Sequence, residues 1–247
     1  MSLLRAELLK ARTTRLLLWY GLGLVAFLVL VVSIHLGTSN PFDLGRASNQ
    51  RDLFAVSGLA AVTAVLVGAV LLTSEYAHGT INQSFLATPV RQRLLTAKVV
   101  VAALIGGGLG LLAAVTVLVL GELWYAGRGV TLHLGHGTLT PALGAIAASA
   151  LAAVVGLGLG GIIRRQTATI VIILLWLLIG ENVISVTDSA RYAPGHVFGA
   201  IVAAHAHGTS DTLAVWSAAA AALVYGAIFA AAGLIAIATS DVPSQAG

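Results

Sequence analysis

The sequence predicts an all-α polytopic membrane protein with six transmembrane helices, and three observations lead there. Of 247 residues, 58% are apolar and 9% charged, whereas a soluble domain carries about 25% charged residues. Six charge-poor runs, 16–36, 53–73, 99–121, 142–163, 167–187 and 213–238, each reach the roughly 20 residues that a helix needs to cross a bilayer core. The runs are also evenly apolar, without the residue-by-residue alternation of membrane β-strands. No fixed-period repeat or low-complexity tract divides the chain, so residues 1–247 are expected to form a single transmembrane domain.

Ahead of the first span, residues 2–15 read SLLRAELLKARTTR. Leu3, Leu4, Leu8 and Ala11 share one helical face, with Arg5, Lys10 and Arg12 elsewhere, as in a helix lying in the membrane interface. A basic leader is the plainer reading. The first span itself is too long for a signal-peptide core and has no small-residue cleavage site after it, so it is expected to be retained. Trp19 and Tyr20 fall at its inner boundary, and Trp124, Tyr125 and Trp216 at outer ones, as an aromatic belt would.

Orientation follows the basic residues of the short loops. With the N-terminus inside, nine (Arg5, Lys10, Arg12, Arg15, Arg91, Arg93, Lys98, Arg164 and Arg165) are cytoplasmic and four (Arg46, Arg51, Arg128 and Arg191) are outside. An even span count puts both termini inside. The net charge of +4 therefore reflects topology and does not imply a nucleic-acid partner.

Spans three and four are rich in glycine, and Gly106/Gly110 and Gly156/Gly160 have the spacing that lets helix backbones approach closely. A dinucleotide fold would need a strand and a soluble crossover unit around these glycines, and neither is present. The last outer loop, 188–212, contains its own apolar stretch, HVFGAIVAA, too short to span; it is expected to dip into the membrane from outside. Among the spans only the fifth holds an ionisable residue, Glu181. It sits about 14 residues past the inner boundary, or roughly 21 Å into a ~30 Å core. Its expected partner is Arg191 or water, and its alternative role is the ion site of a gradient-driven carrier.

Several chemistries are excluded. The chain has no cysteine, hence no disulfide or thiolate site. Its two lysines lie outside any phosphate-binding loop, and no histidine is followed by Glu as a zinc-protease motif requires. Ser57 and Ser149 lie in spans without a histidine on a neighbouring helix to activate them. His133, His136, His196, His205 and His207 all fall in outer loops, and the H-A-H pair His205 and His207 is a weak metal candidate. An enzyme is not expected, and no cofactor is expected on this chain.

The most polar internal stretch is SEYAHGTINQSFLATPVRQRLLTAK, residues 74–98. Thr80 with Gln83 fits a capping box, so a helix is expected from Ile81. Ile81, Phe85 and Leu86 give it an apolar face, and Thr88-Pro89 ends it and can start the next helix. Arg91, Arg93 and Lys98 then lead into span three. By spacing alone this is either a short amphipathic helix against which another protein pushes or a solvated loop with positive-inside charges.

The pattern S-E-Y-x-H-G-T-I-x-x-x-F-L-A-T-P-V-R-x-R-x-L-x-x-K resembles the segment between spans two and three of type-2 ATP-binding-cassette (ABC) export permeases. The likeness extends to the basic interfacial N-terminus, the six-span layout, and A-R-Y-A-P-G at 190–195. The resemblance implies that residues 80–88 are a coupling helix docking on a separate ATPase. It carries Glu75, Gly79, Thr80, Ile81, Phe85, Leu86, Pro89 and Arg91 as ATPase-coupling residues, while His78 stands where a basic residue is more usual. It also implies two permease subunits, in a homodimer or with a similar permease, with two ATPases that hold ATP and Mg. The expected site is the bacterial plasma membrane, with membrane lipid as a further partner. Spans built from Ala, Val, Leu and Gly suit an apolar or amphipathic cargo, but the substrate itself is not legible.

Overall fold

The computed structural model describes residues 3–13, 15–39, 45–79, 91–132, 135–187, 189–203 and 212–239. These form an all-helical protein with six helices long and apolar enough to cross a membrane. An interfacial helix, Leu3–Thr13, leads to span 1, Arg15–Thr38. Span 2 covers Ala47–Ala77, and span 3 is the 36-residue helix Arg91–Ala126. Span 4 is His136–Ile163 and span 5 Gln166–Ile184. A short helix, Pro194–Ala203, named the outer helix after the orientation that the basic residues predict, precedes span 6, Val215–Thr239.

Several boundaries differ from the sequence expectation: span 3 runs eight residues earlier and five later than the apolar run, span 4 begins six residues early at His136, and two further differences lie in spans 2 and 5. Span 2 starts six residues before the apolar run, because Ala47–Ala55 is already helical despite Asn49, Gln50, Arg51 and Asp52. Two of its polar side chains have partners: Gln50 is buried and donates to the Thr131 carbonyl at 3.1 Å, and Arg51 donates to the Ala203 carbonyl. A single 3-10 turn, Val56–Leu59, interrupts the span. Span 5 ends at Ile184 and contains a π-turn, Trp176–Gly180.

Span 4 is the hub: 61% of its most apolar window is buried, against 17% for span 1, 11% for span 5 and 22% for span 6. Helices in a bilayer gain little from hiding apolar surface, so close backbone contact does the packing. A Cβ built on Gly156 would lie 1.9 Å from the Val65 carbonyl oxygen of span 2, and one on Gly106 of span 3 would lie 2.3 Å from that of Ser149. On the span 6 side, Gly158 would meet the Phe229 carbonyl at 2.3 Å. The predicted pairs Gly106/Gly110 and Gly156/Gly160 are thus the notches at which spans 2, 3 and 4 meet.

Spans 4 and 5 are joined by only two residues. Arg164 closes span 4 in the left-handed region, at φ 59°, and its guanidinium donates to the Ala236 carbonyl near the end of span 6. One cation thereby serves the C-terminal ends of two helices, where the dipole favours positive charge. Arg164→Ala keeps the strained φ and loses the bond, so it should cost about 2 kcal/mol. A thermal inactivation profile of the purified chain checks this.

Candidate functional site

The carboxyl end of span 2 holds the densest group of charges among the described residues. Glu75 lies in the last turn of its helix, where a carboxylate opposes the helix dipole and needs cations. It is buried, and its Oε1 accepts from Lys98 Nζ at 2.5 Å and from Lys10 Nζ at 2.6 Å. Lys98, also buried, donates in addition to Glu7 Oε2 at 2.8 Å. The two lysines of the chain therefore meet on one carboxylate, and the cluster ties the interfacial helix to spans 2 and 3. Among the described residues Glu75 Oε2 has no hydrogen-bond partner. Beside it is a cavity of about 180 Å³, lined by these four side chains together with Leu71 and Val101.

The exit from span 2 is built locally. The His78 backbone N–H bonds the Ser74 carbonyl at 3.0 Å, and Gly79 follows in the left-handed conformation at φ 66°. A glycine just past the helix end is the usual way to satisfy the last carbonyls, since it takes that conformation without a steric cost. This accounts physically for the glycine four residues after Glu75.

A second polar group lies at the carboxyl end of span 5. Glu181 follows the π-turn, and its Oε1 accepts from Trp176 Nε1 at 2.9 Å and from the Gly195 backbone N–H at 2.8 Å. Its Oε2 lies 3.1 Å from His196 Nδ1. The expected Arg191 partnership is not found: that guanidinium lies 5.2 Å over the Tyr192 ring. The carboxylate instead faces the amino end of the outer helix, where an exposed N–H and the helix dipole both favour it.

The family model described as ABC-2 family transporter protein matches residues 3–180. The chain belongs to that family. No curated protein sequence matches it. As a member of the ABC-2 transporter family it is a multi-pass permease subunit of an ABC transporter rather than an enzyme, and the family implies association with an ABC ATPase. The match takes in the interfacial helix, the Glu75 cluster and most of span 5; Glu181, the outer helix and span 6 lie beyond it.

Of the residues expected from the resemblance, Glu75 and Gly79 are described at the span 2 exit. Arg91 begins the helix of span 3. Thr80, Ile81, Phe85, Leu86 and Pro89 lie outside the described residues, as do His205 and His207. Among the described residues, no group of three His, Cys, Asp or Glu could hold a metal. Sequence reasoning named Glu75 but not Glu7, Lys10 or Lys98 as its partners. The available signal was the scarcity of lysine: two in an arginine-rich chain, one before span 1 and one closing the 74–98 motif.

Proposed function

We propose that this permease subunit belongs to an ATP-driven exporter, with residues 80–88 as the coupling helix. Two such subunits, identical or similar, enclose the pathway, and two separate ATPase subunits carry ATP and Mg. Closure of the ATPases pushes on the coupling helix and shifts spans 2 and 3. The bacterial plasma membrane is the corresponding location, with both termini cytoplasmic.

The observation that carries this reading is the Glu7–Lys98–Glu75–Lys10 cluster, in which Lys98 and Glu75 are buried and Lys10 reaches in from the surface. Glu75 and Lys98 are the two roots of the 80–90 segment, one before it and one after, and they are bonded directly to each other and to the interfacial helix. A force on that segment is therefore transmitted to three helices together. Buried ion pairs add little net stability, and registry or switching is their best-attested use.

A gradient-driven carrier using Glu181 as its ion site has less support, because three donors already occupy both oxygens of that carboxylate. Affinity purification of the tagged chain in mild detergent, with quantitative mass spectrometry, is the direct test. An ABC ATPase recovered at about one per chain supports export by ATP, and recovery of the chain alone overturns it. Phe85→Asp should reduce ATPase recovery roughly tenfold while leaving insertion intact, since it places a charge on an apolar docking face.

A further inference from the structure

We infer that Glu181 is the positioning residue of an outer latch: it caps the outer helix from a different span, and its release frees that end of the helix. The need for such a cap is local. Ala193 has no side-chain acceptor and Pro194 has no N–H, so Gly195 offers the first exposed donor of the helix. The first backbone bond within the helix is Val197 N–H to the Ala193 carbonyl at 2.9 Å. Glu181, 14 residues upstream, accepts from Gly195 at 2.8 Å in place of a local N-cap.

Neighbouring residues hold the carboxylate there. The π-turn sets the register of Glu181, and the Trp176 indole folds back to bond it; a Cβ on Gly180 would lie 2.8 Å from that ring. On the helix side, a Cβ on Gly195 would stand 2.9 Å from the Glu181 carboxylate carbon. Pro194-Gly195 thus has a physical reason: proline suits the first helical position, and glycine admits the remote cap.

The other pole of the outer helix is clamped by the opposite charge. Arg51, at the start of span 2, donates to the carbonyl of Ala203, the last helical residue, so the helix has an acid at its amino end and a base at its carboxyl end. The two clamps belong to different spans and differ in firmness. At the Arg51 end Val202 also packs against Gly58, and Gly144 of span 4 approaches Ile201. At the Glu181 end the tethers are the Glu181 contacts from span 5, the least buried of the six, and one bond from the Tyr225 hydroxyl of span 6 to the Tyr192 carbonyl just ahead of the helix. Movement of span 5 away from span 4 therefore breaks the Glu181 contacts first, and the helix lifts from its amino end, hinged at Arg51.

That this lifting opens an outer gate rests on the export reading, but the latch itself is testable without any ATPase. The chain has no cysteine, so Val197→Cys gives a single reporter at a fully buried position of the outer helix. Maleimide labelling is followed on the full chain in nanodiscs, with Ala113→Cys in the core as a control. Adding Glu181→Ala should speed labelling at 197 about tenfold, the loss of one charged cap, and leave 113 protected. Glu181→Gln, which keeps an acceptor for Gly195, should recover part of the protection. Gly195→Ala, which displaces the carboxylate from the other side, should reproduce the Glu181→Ala rate if that variant does not insert. Unchanged labelling at 197, or equal acceleration at 113, overturns the latch.

Discussion

Lys98→Met should be among the most damaging single substitutions in the chain, at roughly 3–5 kcal/mol. Lys98 is buried between Glu7 and Glu75 at 2.8 and 2.5 Å. Removing its charge leaves two carboxylates near each other, with Glu75 held by Lys10 alone. The loss would appear as a lower midpoint of thermal inactivation and a broadened elution profile. Removing the acids as well, in Lys98→Met/Glu75→Leu/Glu7→Leu, should restore most of the stability, because an apolar replacement of the buried members of an ion cluster is close to neutral and the exposed Lys10 is left to water. If the cluster transmits force, the restored protein should still bind its ATPase yet fail to couple hydrolysis to transport. A single Lys98→Met variant as stable as the parent would sink the account of the cluster.

Gly156→Ala should disrupt the bundle almost as severely, at roughly 3 kcal/mol or more. The added methyl carbon would sit 1.9 Å from the Val65 oxygen and 3.0 Å from the Ala69 nitrogen, both backbone atoms of span 2 that no rotamer change can move. Spans 2 and 4 would have to separate. Gly108→Ala is the matched control: nothing lies within 4 Å of the new carbon, so it should be neutral or stabilise by up to about 1 kcal/mol through helix propensity. Thermal inactivation of the two variants side by side decides the point, and equal effects would refute the notch.

These two cases also show where legibility stops. The glycine-rich runs in spans 3 and 4 are visible in the sequence, and their spacing announces close helix contact. Which glycines face a neighbour is not visible, because Gly106 and Gly108 differ only in the direction each presents, and the packing of spans 3 and 4 sets that direction. The same holds for Glu75. Its place in the 74–98 motif marks it, but its cations lie 65 and 23 residues away, and no local pattern encodes such pairings.

Glu181 is the clearest case of a residue singled out for one reason and placed for another. A lone carboxylate in an apolar run was legible as exceptional, and an ion site or an Arg191 pair were its natural readings. The structure gives it to the amino end of a helix 14 residues downstream, through a π-turn that the regular apolar pattern conceals.

What the sequence determined by itself was the class of the molecule: six spans, an interfacial helix, and a polar segment between spans 2 and 3. Each follows from interactions within a few turns of chain, namely apolar length against bilayer thickness and terminal signals such as Gly79 and Pro194. The tertiary structure alone decided that span 4 is the hub, that both lysines converge on Glu75, and that the outer helix is clamped by Glu181 and Arg51. Those are contacts between residues far apart in the chain. In a bundle whose spans are almost equally apolar, backbone approach at glycine and the pairing of a few buried charges select the partners, because hydrophobicity no longer distinguishes one helix from another.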